Sequence, residues 1–447
     1  MKRRQFITSI GAVAAITAVG VTNKVVAKAG VNAGAKKVHP PFGKKHWKKS
    51  TFKAPEFKQK CLTQGPNNHF FGYFGMSPWS HDETKLVCLE SHFHDRMPDD
   101  GETAKIGLVN QQSGKFTTIG ETTAWNLQQG AMIHWNPLQP NDEIIFNNRS
   151  GKHFHASILN INTGKVRDLP RSIHAVASTG KYALSLTEGR LSRMRKVVGY
   201  SGAKDPNPND PFPVNDGIFR IDIATGESNL ILSIAAVFNL SIKHYPALEG
   251  RDMWFNHTVI SPNGQRFAFL ARTRTNDITQ DKKIDSAMFS SNIDGTDLKM
   301  IIPFGTGVSH FGWRGNNEIV ATFIKPGDDQ IKHYIINDSE FINIAQFKVL
   351  GDGFIINDGH CTFDPSTRFL ATDRKETERL SQSLWLYDME QDAGMMLAAH
   401  PAGQYSNLHG DTRCDFHPRW SPSGKKVCYD AIDSRTWTRQ LQIIKFS

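Results

Sequence analysis

The stretch WFNHTVISPNGQRFAFLAR, residues 254–272, reads as a hydrophobic strand, a polar turn at Ser261-Pro262-Asn263-Gly264 and a second hydrophobic strand. The phrase occurs seven times between residues 77 and 424. The other turns are SPWSHDE from Ser77, NPLQPNDE from Asn136, ASTGK from Ala177, RGNNE from Arg314, DPSTR from Asp364 and SPSGKK from Ser421. Strands such as LVCLES, IIFNNR and VCYDA follow, and a third strand usually leads into a second turn, as in NQQSGK, NINTGK, DIATGE and NIDGTD. A unit of four short antiparallel strands cannot bury both of its faces alone, but units stacked radially cover one another. Seven copies predict an all-β chain, a seven-bladed β-propeller over residues 57–447. The last unit, ending RQLQIIKFS, is one strand short, so Phe57 to Thr63 is expected to supply the missing outer strand and close the ring.

Ahead of the repeats, MKRRQFITSIGAVAAITAVGV is a basic segment followed by an apolar one, with Ala27-Lys28-Ala29 as a small-residue cleavage site. Residues 1–29 therefore read as an export signal, of twin-arginine type at Arg3-Arg4, which predicts a secreted or periplasmic protein with no membrane attachment after cleavage. Residues 30–56 read as a lysine-rich lead-in. These two segments account for the formal charge of +10: residues 1–29 hold five Lys or Arg and no acid, and residues 30–60 nine Lys and one Glu. The propeller body is close to neutral, which argues against a nucleic-acid partner. The five cysteines, Cys61, Cys88, Cys361, Cys414 and Cys428, are odd in number and have no close pair, so no disulfide framework is expected.

Aligning the turns exposes a second register. Five residues before Pro262, Gly315, Pro365 and Pro422 stand His257, His310, His360 and His417, while the first three units carry Tyr73, Met132 and Ile173 in that slot. Innermost strands converge on a propeller axis, so the four imidazoles should share one channel mouth, either as plain polar lining or as a metal site. Cys414 lies three residues before His417, and Asp358 two before His360. A thiolate with imidazoles suits tetrahedral zinc. The expected ligands are His310, His360, Cys414 and His417, with His409, Asp415 and His257 as substitutes.

A second constellation falls in units two and three. WNLQQGAMIHW (125–135) carries His134, NNRSGKHFHAS (147–157) carries Asn147, Arg149, His153 and His155, and the insertion at 189–216 carries Arg190, Arg193, Arg195 and Tyr200, followed by Arg220. Loops entering the first strand and loops joining strands two and three share one face of a propeller. Histidine can take a proton near neutral pH, tyrosine can give one, and arginine pairs with a carboxylate, which suits acid–base chemistry on an anionic substrate.

The segments HFFGYFGMSPWS, TTAWNLQQGAMIHW, IIFNNRSGKHF, SLTEGRLSRMRKVVGY, NDGIFRID, WFNHTVISPNGQRFAFLAR, VSHFGWR and DFHPRWSPSGKKVCYD resemble those of the β-propeller polysaccharide lyases, most of all the ulvan lyases. The resemblance implies a polysaccharide lyase that cleaves a sulfated, uronate-containing algal polysaccharide by β-elimination and leaves unsaturated oligosaccharides. By motif it places catalytic roles on His134, His155 (with His153 competing), Tyr200 and Arg220, substrate contacts on Asn147, Arg149, His153, Arg193 and His257, and a structural role on the zinc. The phrase ends RKVVGY where relatives carry arginine-proline-glycine-tyrosine. A monomer is expected. Two other readings stand beside this one: a non-catalytic propeller binding a glycan or protein, and an oligogalacturonate-type lyase whose ring metal itself holds the substrate carboxylate.

Overall fold

The computed structural model describes residues 53–275, 284–338, 347–376, 380–402 and 410–447. The expected export signal and most of the lead-in lie outside the described residues. Strand β1 (Phe57–Cys61) comes first in the chain and last in the ring. Blade one is β2 (Asn68–Phe70), β3 (Lys85–Ser91), β4 (Ala104–Asn110) and β5 (Phe116–Thr122); blade two is β6 (His134–Trp135), β7 (Glu143–Ser150), β8 (His153–Asn160) and β9 (Val166–Leu169). Blade three is β10 (Ala175–Val176), β11 (Tyr182–Ser185), β12 (Gly217–Asp222) and β13 (Ser228–Ser233); blade four is β14 (Arg251–Ile260), β15 (Arg266–Thr275), β16 (Asp285–Asn292) and β17 (Lys299–Ile302). Blade five is β18 (Phe311–Arg314), β19 (Glu318–Phe323), β20 (Lys332–Asn337) and β21 (Lys348–Leu350); blade six is β22 (Thr362–Phe363), β23 (Phe369–Glu376), β24 (Ser381–Asp388) and β25 (Ala393–Pro401). Blade seven joins β26 (Arg419–Trp420), β27 (Lys426–Asp433) and β28 (Thr438–Phe446) to β1.

The seven-bladed propeller read from the repeats is therefore the observed fold. The ring closes as anticipated: β1 runs antiparallel to β28, from Phe57 opposite Phe446 to Cys61 opposite Gln442. Middle strands are buried on both faces, as in β15, because neighbouring blades cover both sides; outer strands such as β5 and β9 face solvent over much of their length. Side chains of adjacent blades share one core: Ala268, Leu270 and Met288 of blade four pack with Phe311, Trp313 and Phe323 of blade five.

Indole N–H groups add a recurrent polar tie between neighbours. Trp135 donates to the Pro78 carbonyl (2.8 Å), Trp313 to Val259 (3.0 Å), Trp420 to Thr362 (3.2 Å), and Trp79 to Arg419 across the seam (3.4 Å). Each contributes about 1 kcal/mol and fixes the radial register of two blades.

The insertion of blade three departs from a plain loop. Between β11 and β12 it forms helix α1 (Glu188–Met194) and a single 3-10 turn, Lys196–Val198, before Tyr200. All five cysteines are free thiols.

A candidate metal centre and the arginines beside it

The slot common to the innermost strands is a ring position in the structure, and its backbone explains why. Met132, His257 and His417 all have left-handed φ angles (48°, 56° and 45°), and the β14–β15 ladder breaks register between Asn256 and Val259. Side-chain-bearing residues seldom adopt this conformation, so the propeller packing must hold it. Consecutive imidazoles lie close: ring centroids are 5.9 Å apart for His257 and His310, 4.0 Å for His310 and His360, and 4.3 Å for His360 and His417. Phe74 packs against the rings of His257, His310 and His360, and the Tyr73 hydroxyl lies 2.5 Å from His257 Nδ1.

Within the ring, His360, Asp415 and His417 form a buried group whose ligand atoms all lie within 4.8 Å of one another. His360 Nδ1 is 2.9 Å from Asp373, which leaves Nε2 free, and it has no partner; neither ring nitrogen of His417 has one. Gly359 permits that approach, since a Cβ there would sit 2.1 Å from the Asp373 carbonyl oxygen. Burial, followed by the charge of His360, holds His417 well below the ordinary histidine range. Burial opposes ionisation of Asp415, but Arg413, Lys375 and the imidazoles outweigh it and hold the carboxyl well below its usual range. A neutral His417 imidazole beside an ionised Asp415 carboxylate is the protonation state a divalent cation requires of those two groups. The orphaned buried nitrogens fit such an ion, and His360, Asp415 and His417 would hold it.

This group differs from the expected ligand set in two members, Cys414 and His310. Arg413, Asp415 and His417 alternate along an extended segment, with Arg413 Nε donating to Asp415 Oδ2 at 2.6 Å, so Cys414 points to the other side. Burial pushes its thiol up to about 12, so without a bound cation it is protonated. Asp415, a substitute in the sequence reading, takes the place of Cys414, and the argument for zinc that rested on sulfur goes with it. His310 stands next to the group with its Nδ1 2.8 Å from Asp358. His409 lies outside the described residues.

Beside the group sit two cations, Arg195 of the insertion and Arg272, the second of which the sequence reading did not single out. Arg272, near the end of β15, is buried, and its Nε has no hydrogen-bond partner. Burial and then the positive charge of Arg195 push it down to about 9. Arg195, at the end of α1, is itself lowered by burial and by Arg413. Among the described residues neither Arg195 nor Arg272 forms an ion pair. Asp358 acts on Arg272 and Asp411 on Arg195 without pairing with them, so a bound anion would offset the remaining repulsion and desolvation. The only sequence signal for Arg272 was its place two residues after Leu270 in the strand that follows the turn at Ser261.

The second constellation is divided by the sheet of blade two. Asn147 pairs with Ala156 in the β7–β8 ladder and Asn148 with His155; residues directly opposite share a face. Asn147 Nδ2 donates to the Tyr200 hydroxyl at 3.0 Å and to the Ile173 carbonyl at 2.9 Å, toward blade three. His155 therefore faces away from Tyr200; it stacks with His153 and lies 3.5 Å from Asp168. His134 is buried two residues beyond the ring slot, level with Arg419, and burial lowers it to about 4. Tyr200 is fully enclosed, with burial raising its phenol well above the ordinary value.

The arginines of this set mostly hold the chain together. Arg149 pairs with Asp100, and Arg193 bridges Asp205 and Asp252, both at 2.7 Å. Arg190 donates to the carbonyls of Met253, Asp210 and Pro211. Arg220 stands in the middle of β12 opposite Leu184, and its guanidinium lies over the ring of Tyr182, which opens β11 at the end away from the insertion. The structure thus separates Arg220 from Tyr200.

No protein-family model matches the sequence, and no curated protein matches it. Among the solved structures that share its fold are two lyases. An oligogalacturonate lyase in complex with manganese has 14% identity over 88% of this chain and 97% of its own, with a TM-score of 0.58. The oligogalacturonate lyase of Vibrio parahaemolyticus has 13% identity over the same shares, with a TM-score of 0.59. At such identity the likeness is one of fold. The chain is a seven-bladed β-propeller with a buried His–Asp–His group able to hold a metal ion.

Proposed function

We propose that this propeller is a metal-assisted polysaccharide lyase that cleaves a uronate-containing polysaccharide by β-elimination, with its chemistry at the ring mouth. The observation that carries the reading is the juxtaposition of the His360–Asp415–His417 group with Arg272 and Arg195, two guanidiniums without acidic partners. The proton on C5 of a uronate is only weakly acidic until the neighbouring carboxylate is neutralised. A bound cation would supply Lewis-acid neutralisation there, as the manganese of one structural neighbour suggests. Arg272 and Arg195 pair with the anionic groups of the sugar. His257 takes the C5 proton, the C4–O4 bond breaks as the C4–C5 double bond forms, and the departing oxygen takes a proton from solvent; the imidazole is held neutral by burial and by Arg272, and the Tyr73 hydroxyl lies against its ring. The sulfated algal substrate follows from the motif resemblance, and the N-terminal segment would export the enzyme to reach it.

The test is incubation of purified protein, with and without added divalent metal, with ulvan and with oligogalacturonate. Ultraviolet absorbance of the conjugated uronyl product is recorded. Metal-dependent growth of absorbance on either substrate supports the reading. No product from any uronate glycan, with binding retained, would leave a glycan-binding propeller instead.

A further inference from the structure

The insertion that carries Arg195 and Tyr200 is docked through a buried carboxyl that the chemistry above does not use. Glu188 opens α1 and is buried; its Oε1 lies 3.3 Å from His174 Nε2, but neither carboxyl oxygen has a hydrogen-bond partner, and neither has that ring nitrogen. His174 Nδ1 accepts the backbone N–H of Leu186 at 3.2 Å, so the proton of the neutral imidazole is on Nε2, facing Glu188. Burial lowers His174 to about 3, so the ring carries no charge with which to balance a carboxylate.

The charged and titratable groups around the pair are few. From the segment of His174 come Arg171 and the Ser172 hydroxyl; Tyr200 faces Glu188 from the end of the insertion; His134 acts on His174 from blade two; Asp216 acts on Arg171 from before β12. Arg171 is spent elsewhere: it donates to Ser185 Oγ (3.3 Å) and Thr187 Oγ1 (3.2 Å), and its guanidinium stacks 3.6 Å over the Phe219 ring. No cation touches the carboxyl, and burial raises Glu188 to about 8. The other polar ties of the insertion run through Arg190 and Arg193 to its own backbone and to β14, and at its far end from Asn126 and Asn147 to the Gly199 carbonyl and the Tyr200 hydroxyl, rather than to blade three.

We propose that Glu188 is a positioning residue that docks α1 and the loop ending at Tyr200 onto blade three while its carboxyl is protonated, and loosens both when it ionises. An ionised carboxylate there would be a buried charge without a partner, which costs several kcal/mol and is relieved by opening to water. The inference rests on the lyase reading only in taking Arg195 as a substrate-facing group; the docking itself does not depend on it.

The test compares wild type with Glu188→Gln by hydrogen–deuterium exchange of residues 188–200 across a pH series, corrected for intrinsic rates and referenced to the blade cores. In wild type, protection of this segment should drop as pH passes about 8, and in Glu188→Gln it should persist. An infrared titration gives a second readout: a protonated carboxylic-acid component present in wild type at neutral pH and missing from Glu188→Gln should be lost over the same range, leaving the acid of Asp430, which burial also holds well above its usual range. Protection that is flat with pH in wild type, that falls equally in the variant, or the lack of an acid component that distinguishes wild type from Glu188→Gln at neutral pH would overturn the proposal. Product formation is followed separately; if wild type cleaves no uronate, the lyase reading fails while the exchange result still decides the role of Glu188.

Discussion

His360 Nδ1 lies 2.9 Å from both oxygens of Asp373, and that carboxylate also accepts the backbone N–H groups of Phe416 (3.0 Å) and His417 (3.3 Å). One acid from β23 of blade six thus orients a candidate ligand in its own blade and fixes the backbone that presents another from blade seven. A carboxylate–histidine pair of this kind sets the tautomer and directs Nε2 at the ion.

Metal content follows from that geometry. His360→Ala and His417→Ala should each abolish stoichiometric metal in elemental analysis, while Cys414→Ala should retain it. Asp373→Asn should weaken affinity by roughly 10- to 100-fold, as loss of an orienting partner does elsewhere. Metal lost from Cys414→Ala and kept in His417→Ala would return the site to the thiolate set.

Arg272 offers a guanidinium with no partner of its own, so its removal should cost substrate recognition rather than fold. Arg272→Ala should lower kcat/KM by about 2 kcal/mol, or ~30-fold. Arg220→Ala should stay near wild type, because the Arg220 guanidinium lies over Tyr182, at the end of β11 away from the insertion. The reverse pattern would favour the motif-based assignment.

Acid–base roles can be separated by face. His257→Gln should cut turnover by at least ~10²-fold, whereas His155→Ala, on the face of blade two away from Tyr200, should keep most of it. Large losses in Tyr200→Phe and His134→Ala with an active His257 variant would move the chemistry between blades two and three.

Stability should fall on the acid side. Burial lowers His134, His333 and His400 to about 4 and His174 to about 3, from an ordinary 6.5. Their folded-state values are depressed, so the unfolded chain binds more protons below 6.5. The neutral-ring contribution is full above that pH and is lost as pH falls toward 4. Tm should therefore drop between pH 6.5 and 4, and His333→Gln, at a ring with no hydrogen-bond partner on either nitrogen, should flatten the slope. A Tm independent of pH across this window would contradict the buried neutral rings.

The sequence by itself determined the propeller. Each turn, such as Ser261-Pro262-Asn263-Gly264, is a local event fixed by turn chemistry, and repetition of local events sets the number of blades. It also determined the histidine register, because residues at one distance from equivalent turns occupy one level of the innermost strands. Only the tertiary structure decided which donors meet. Cys414 and Asp415 are adjacent in sequence but point to opposite sides of an extended segment, so spacing alone could not choose between them. His155 and Tyr200 share a motif-level expectation, yet a sheet stands between them, since their sides follow from strand pairing rather than from sequence distance. Arg272 and Glu188 went unremarked for the same reason: burial without a partner is a property of the surroundings, and those are assembled from distant parts of the chain.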